Sequence, residues 1–361
     1  MDKKKEIFVF GTRGIPNIQG GVERHCESLY PLLAPFYKIT VFRRSPYVSD
    51  NYKEWQNIRL IDLPSTKIKG FEALLHSFLS ALICIVRRPD IVHIHNIGPG
   101  IFTPLIRLFG LKVVITYHSA NYEHSKWNYW QKKVLLFSEN CALNFANQVI
   151  FINKAQCKNK GAKYFEKSVW IPNGAKPPVF SESTEYIHSL GLTEKKYILA
   201  VGRITPEKGF DYLIEAYKQL KNKDFKLVIA GGSDHSTTFS KQISKQALES
   251  NVILTGFITG EPLSQLYTHT RLFVLPSFHE SLSMSLLEAM SYNLDVLISD
   301  IPANKEIKLP ENCYFKCGDS NNLSFKVFEK LQAKETLAYD LSAFDWNNIA
   351  LQTLEVYKKI F

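Results

Sequence analysis

Short apolar segments rich in Val, Ile and Phe recur along the sequence, and longer amphipathic stretches fall between them. The segments are "EIFVFG" (6–11), "KITVF" (38–42), "IRLIDL" (58–63), "DIVHIH" (90–95), "KVVITYH" (112–118), "QVIFI" (148–152) and "SVWIP" (168–172). Helical stretches are expected over 21–34, 71–87, 99–109 and 127–146. Strands that are apolar on successive residues are buried on both faces, so the pattern predicts a parallel sheet covered by helices. It breaks at "IPNGAKPPVFSESTEYIHSLGL", where Pro, Gly and Ser signal a linker. It then resumes with "YILAVG" (197–202), "FKLVIAGG" (225–232), "VILTG" (252–256), "LFVLPS" (272–277) and "DVLISD" (295–300), with helices that include 208–221, 237–249, 261–269 and 283–292.

Two doubly wound α/β domains follow, in keeping with 361 residues. The expected boundaries are 1–173, a linker 174–194, a second domain 195–343 and a terminal helix 344–361. That helix either caps its own domain or crosses back to the first. Ligands are expected at the carboxyl ends of the strands, in a cleft between the domains.

Charge is uneven. Residues 1–173 hold 24 Lys and Arg against 12 Asp and Glu, whereas the rest holds 20 against 22. A basic half suits an anionic surface or substrate, with membrane lipid or a diphosphate-linked acceptor favoured over nucleic acid, for which no binding motif occurs. The charged start "MDKKKEIFVFG" does not resemble a signal peptide. The apolar run 71–86 is shorter than the roughly 20 residues of a spanning helix, and Glu72 and His76 interrupt it. The six cysteines are scattered, with no CxxC pair, and read as reduced thiols of a cytoplasmic protein.

After the first strand, "FGTRGIPNIQGGVERHCESLY" offers Gly11, Gly14, Gly20 and Gly21 ahead of a helix. It is either a plain turn or a loop that lets a ligand approach the backbone and a helix N-terminus. In the second half, "AVGRITPEKGF" places Arg203 just past a strand and Lys208 at a helix start; they are either two exposed cations or a clamp for a diphosphate. His93 and His95 alternate onto one strand face, as a metal pair or as two satisfied polar groups. The aromatic stretch "ANYEHSKWNYWQKK" (120–133) is either packing or a surface for acceptor or membrane.

In "LPSFHESLSMSLLEAMSYN", Glu280 follows a strand, Ser283 is a helix N-cap, and Glu288 lies about one and a half turns into the helix. One acid can reach one end of an extended ligand and the second the other, with phosphates at the helix N-terminus between them. A nucleoside diphosphate attached to a polyhydroxylated group would use both.

These residues resemble the retaining glycosyltransferases of family 4, which have the GT-B fold. The resemblance rests on Glu280 and Glu288 as the family's E-x7-E, "GRITPEKG" at 202–209, "IPNG" at 171–174, "GG" at 20–21 and "TYH" at 116–118. It runs from residue 11 to about 306 in family order. "GTRGIPNIQGGVERH" is similar to the N-terminal domain of bacterial rhamnosyl- and related transferases that build surface polysaccharides. The resemblance implies that Arg203 and Lys208 bind the donor diphosphate, that Glu280 contacts the sugar hydroxyls and Glu288 the ribose, and that amides around Ser283, Leu286 and Leu287 serve sugar and phosphate. It puts His118 near the reacting carbon, Gly20 and Gly21 along the cleft, and the nucleobase near Gly256, Phe257 and Ile258.

Two positions depart from the family pattern. "ESLS" replaces "EGFG", so Ser281 would be strained if that position required positive φ, and Asn293 in "YNLD" stands where glycine is usual. No DxD occurs, so no metal or cofactor is expected; Arg203, Lys208 and a helix N-terminus would meet the leaving charge. The expected acceptor is a lipid-linked saccharide at the inner face of the cell membrane. A nucleotide-sugar 2-epimerase and a non-catalytic binding subunit are the rival readings.

Overall fold

The computed structural model describes residues 4–66, 68, 71–120, 122, 128–220, 224–233, 237–333 and 337–361. In chain order the elements are β1 (Glu6–Phe10), α1 (Gly21–Leu33), β2 (Lys38–Arg44), β3 (Glu54–Trp55), β4 (Ile58–Leu63), α2 (Phe71–Arg87), β5 (Ile91–His95), α3 (Thr103–Leu108), β6 (Lys112–Tyr117), α4 (Tyr129–Phe145), β7 (Gln148–Phe151), α5 (Lys154–Gly161) and β8 (Ser168–Trp170). They continue with α6 (Glu185–Ser189), β9 (Tyr197–Val201), α7 (Phe210–Gln219), β10 (Lys226–Ala230), α8 (Thr238–Glu249), β11 (Ile253–Gly256), α9 (Glu261–His269), β12 (Leu272–Leu275), α10 (Met284–Ser291), β13 (Val296–Ser299), α11 (Pro302–Lys305), β14 (Tyr314–Phe315), α12 (Ser320–Gln332) and α13 (Trp346–Lys358). The chain divides into two compact units, one of Met1–Gly174 with Ala343–Phe361 and one of Ala175–Ser342.

In the first unit the sheet order is β3-β4-β2-β1-β5-β6-β7-β8. Every pairing is parallel except β3 with β4, which closes a hairpin over Gln56 and Asn57. Both turn residues have positive φ (47° and 62°), as a two-residue primed turn requires. The central strands carry the core: every residue of β5 is buried, and the helices α2, α3 and α4 cover one face. From β1 the chain winds to β2 and β4 on one side; from β5 it winds to β6, β7 and β8 on the other. The direction therefore switches between β1 and β5, where ligand crevices form in open α/β sheets.

The second unit repeats the plan with the order β11-β10-β9-β12-β13-β14, all parallel, and its switch lies between β9 and β12. Strands β12 and β13 are buried throughout, with apolar clusters on both sheet faces.

Several elements depart from the sequence-based expectation. The stretch 99–109 is not one helix: Pro99–Phe102 forms a tight 3-10 turn before α3. The helix expected from 208 starts at Phe210, because Pro206–Lys208 is a 3-10 turn and Gly209 has φ 65°. The expected linker is largely part of the second unit. Within it, α6 buries Ile187 completely among Leu263 and Leu266 of α9, and Tyr186 donates its N–H to Gln265 (2.9 Å). The terminal helix belongs to the first unit. Asp345 caps it by accepting from Asn348 N–H (3.0 Å), and Tyr357 packs edge-on to Tyr37 (5.5 Å between ring centroids). Among the described residues no helix is long and apolar enough to cross a membrane.

Candidate active site

In the second unit the loops after β9 and β12 meet at the switch point. Phe278 N–H donates to the carbonyl of Glu207 (2.9 Å), and the Tyr212 hydroxyl donates to the carbonyl of Pro276. Gly209 makes this approach possible: a Cβ there would lie 2.3 Å from the Pro276 oxygen, on a backbone at positive φ. The two loops thereby bring Lys208 and Glu280 together. Lys208 Nζ lies 2.5 Å from Glu280 Oε1, and Ser277 Oγ donates to the same oxygen (2.6 Å). Both side chains are mostly buried, with 18% and 11% exposure, so the charge-assisted bond is only weakly screened. Arg203 follows β9 two residues past its end and is half-buried.

Glu288 is buried in α10 and accepts from the Tyr267 hydroxyl (3.0 Å). Ser283 caps that helix by accepting from Leu286 N–H (3.4 Å), while Leu287 N–H donates to the Ser283 carbonyl (3.1 Å). This narrows the expected ligand-facing set. The side chains of Leu286 and Leu287 are wholly buried and their amides are taken within the helix. Met284 and Ser285 supply the first-turn amides that lie ahead of any intrahelical partner. Ser281 is not at positive φ, so the serine in "ESLS" carries no left-handed strain, whereas Asn293 adopts φ 53° in the glycine-like position. Gly256 (φ 71°) ends β11, with Phe257 exposed beside it and Ile258 against the core.

In the first unit the glycine loop is a braced structure. Glu23 Oε1 accepts from Thr12 Oγ1 (3.0 Å) and Arg13 N–H (2.9 Å), tying the loop to α1. A Cβ on Gly20 would meet the Glu23 carboxylate at 1.9 Å, and one on Gly11 would meet the His95 carbonyl at 2.0 Å. Gly21 begins α1. Arg43, fully buried, holds the loop from behind: its guanidinium donates to Asp62 (2.6 and 3.2 Å), Asp50 (2.8 Å) and the Ile15 carbonyl (3.3 Å).

His118 closes β6 and is buried with His93 and His95 of β5. His118 Nε2 lies 2.9 Å from His95 Nδ1; His95 Nε2 lies 2.5 Å from Tyr30 Oη. His93 Nδ1 lies 2.6 Å from Tyr357 Oη and its Nε2 lies 2.7 Å from Thr116 Oγ1. Both strand histidines are thus satisfied polar groups. Burial lowers His25 to about 4 and His93 to about 3, and holds His95 and His118 well below the ordinary range, so all four rings are neutral near pH 7.

His25, Tyr30 and Tyr357 were given no role in the site by the sequence. His25 lies on α1, its ring edge-on to His118 (5.0 Å between centroids), with Nδ1 2.9 Å from Asn173 Oδ1 and a buried Nε2 that has no hydrogen-bond partner among the described residues. Nitrogens of His25, His95 and His118 lie within 4.8 Å of one another, the spacing of a potential metal group. The 2.9 Å between His95 and His118 suits a hydrogen bond; two nitrogens on one tetrahedral zinc stand about 3.3 Å apart.

Comparison with known proteins agrees with this architecture. Residues 182–335 match the family of glycosyl transferases group 1, and residues 19–177 match glycosyltransferase family 4. The chain is a member of the family 4, group 1 glycosyltransferases, with the GT-B fold. It is 30% identical over 236 residues to an uncharacterized glycosyltransferase of Methanocaldococcus jannaschii, a match covering 58% of this chain and 60% of that protein, so it spans about three fifths of that relative's length. It is 23% identical to the amylovoran biosynthesis glycosyltransferase AmsD of Erwinia amylovora, across 93% of both chains. Among solved structures, Anabaena HepE in complex with UDP-glucose superposes with a TM-score of 0.78 at 17% identity, covering 99% of this chain and all of that one.

Proposed function

We propose that this glycosyltransferase moves a hexosyl or deoxyhexosyl unit, with retention of configuration, from a nucleoside-diphosphate sugar to a lipid-linked saccharide in cell-surface polysaccharide assembly. The observation that carries the reading is the Lys208–Glu280 pair beside Arg203 at the sheet's switch point. In this reading Arg203 and Lys208 take the diphosphate and stabilise its charge as it leaves, while Glu280 holds sugar hydroxyls through the oxygen it does not share with Lys208. Glu288 takes the ribose, the first amides of α10 take phosphate, and Gly256, Phe257 and Ile258 border the base. His118, Gly20 and Gly21 would serve the sugar from the first unit. The diphosphate's own charge is met by protein cations and amides, which is why no metal is required.

A lipid-linked acceptor would bring the protein to an anionic bilayer at the cytoplasmic face. The support is one face of the first unit, where α2 exposes Phe71, Leu74, Phe78, Leu82 and Val86 at helical spacing and α4 exposes Trp130, Val134 and Phe137. The short 3-10 turn Pro99–Phe102 joins them, with Phe78 against Phe102 and Gly98 against Leu135, and Arg87, Arg88 and Lys133 are exposed alongside. Apolar anchors flanked by cations fit a membrane surface of anionic lipid.

The donor is tested by thermal melting against UDP-, GDP-, dTDP- and ADP-sugars, with and without EDTA. A true donor well above its Kd raises the melting temperature by mass action. UDP-sugars come first, since HepE was solved with one. The expected result is one EDTA-insensitive shift that Arg203→Ala abolishes. A flat panel with folded protein would sink the donor assignment.

A further inference from the structure

His118 is the inner end of a buried chain of hydrogen bonds that runs through His95, Tyr30 and His93 to Tyr357 on α13, the last helix. Tyr30 and Tyr357 are fully buried, so each hydroxyl must find its partners within this chain. Each hydroxyl has one proton to give, and each neutral imidazole donates from one nitrogen while accepting at the other. His95 has a partner on both nitrogens: Tyr30 Oη on Nε2 and His118 Nε2 on Nδ1. If Tyr30 donates to His95, then His95 donates to His118; if Tyr30 accepts, His118 must donate. The direction of one tyrosine proton therefore sets the tautomer of His118.

Bond lengths, with the phenol as the stronger donor, point to one direction. His93 Nδ1 has one lone pair or one hydrogen in the ring plane, and Tyr357 Oη at 2.6 Å takes it ahead of Tyr30 Oη at 3.1 Å. Tyr30 Oη also bonds the Tyr357 hydroxyl, but its shortest contact is His95 Nε2 at 2.5 Å, shorter than the roughly 2.9 Å of a neutral N–H···O bond and suited to a phenol that donates. His95 keeps its proton on Nδ1 and donates to His118 Nε2. We propose that Tyr30, His95, His93 and Tyr357 are positioning residues that hold His118 as the tautomer protonated on Nδ1. In that state Nδ1–H is a fixed donor for a ligand hydroxyl, and α13 belongs to the supporting shell of the site. The proposal rests on the reading of His118 as a residue that faces the donor sugar. The groups packed against His118 and His95 include one other titratable ring, His25, whose Nδ1 proton goes to Asn173.

The test is long-range 1H–15N spectroscopy of full-length protein labelled with 15N-histidine, for wild type, Tyr30→Phe and Tyr357→Phe, between pH 5.5 and 8. The expected wild-type spectrum shows His118 protonated on Nδ1 and unresponsive to pH. Tyr30→Phe keeps the ring packing but removes the donor to His95, so His95 and His118 should shift to mixed tautomers, and Tyr357→Phe should do so to a lesser degree. A wild-type His118 protonated on Nε2 overturns the proposal whether or not any variant folds, and so does an unchanged His118 in folded Tyr30→Phe. Turnover of the donor that stabilises the protein, followed by nucleoside diphosphate release, is the second readout. With the relay at work, kcat of Tyr30→Phe falls by about tenfold or more at constant KM; an unchanged kcat overturns the positioning role. Wild-type protein that releases no nucleoside diphosphate from any donor would remove the transferase reading instead, and the tautomer result would stand apart from it.

Discussion

Lys208 and Glu280 are 72 residues apart in sequence and 2.5 Å apart in space. Each was legible as a candidate because it follows a strand end, where the chain leaves a buried sheet edge. That they pair with each other was not legible, since the pairing depends on Gly209 letting its turn close against Pro276. Both side chains are mostly buried, so replacing one leaves the other's charge unpaired and should affect stability as well as chemistry. Lys208→Met and Glu280→Gln are each expected to lower kcat for donor turnover by about 10²- to 10³-fold, the range found when one preorganised charge partner is lost. Melting temperatures should fall as well, so turnover is compared at a temperature where each variant is folded. A variant that turns over donor at half the wild-type rate would remove that residue from the mechanism. His25 shows the opposite limit of legibility. It closes the stretch "GTRGIPNIQGGVERH", but nothing there gives the ring a partner, and it meets Asn173 and His118 only through the fold.

Strands were the most readable elements, because a run such as "LFVL" has no polar side and can be buried only between two layers of helix. Elements with weak local signals went unread. Strand β3 has two residues, and its turn is Gln-Asn in place of a stronger Asn-Gly signal. The single turn of α6 is hidden in a Pro- and Ser-rich stretch. Helix α12 was readable in principle, since Asp319 caps it and Leu323, Val327 and Leu331 recur every fourth residue on its buried side. Helices α2 and α4 carry a prediction of their own. Full-length protein should sediment with vesicles containing phosphatidylglycerol and much less with phosphatidylcholine alone. Trp130→Ser with Phe137→Ser should release it without lowering the melting temperature, because both side chains are mostly exposed, at 73% and 61%. Absence of binding to the anionic vesicles would remove the membrane-docking face.

Over the whole molecule, several histidines are buried as neutral rings. Burial lowers His25 to about 4 and both His76 and His93 to about 3, against 6.5 when unfolded. Below pH 6.5 the unfolded chain takes up protons that the native rings refuse, so the stability they confer is present above that pH. It is lost as pH falls towards 4 and 3, at up to about 1.4 kcal/mol per ring per pH unit. The melting temperature should therefore fall steeply between pH 6.5 and 5, more than in a variant with His76→Leu, where one such ring is gone. A flat melting profile over that interval would show that these rings titrate in the folded protein.

The first unit is assembled from both ends of the sequence, with Ala343–Phe361 packed beside a sheet whose last strand ends at Trp170. A nascent chain leaving the ribosome therefore presents the first unit without one of its covering helices. It must then complete the whole of Ala175–Ser342 before the missing piece emerges. The second unit, contiguous in sequence, can close first. Until Tyr357 has emerged, the pocket that receives it stands open to solvent.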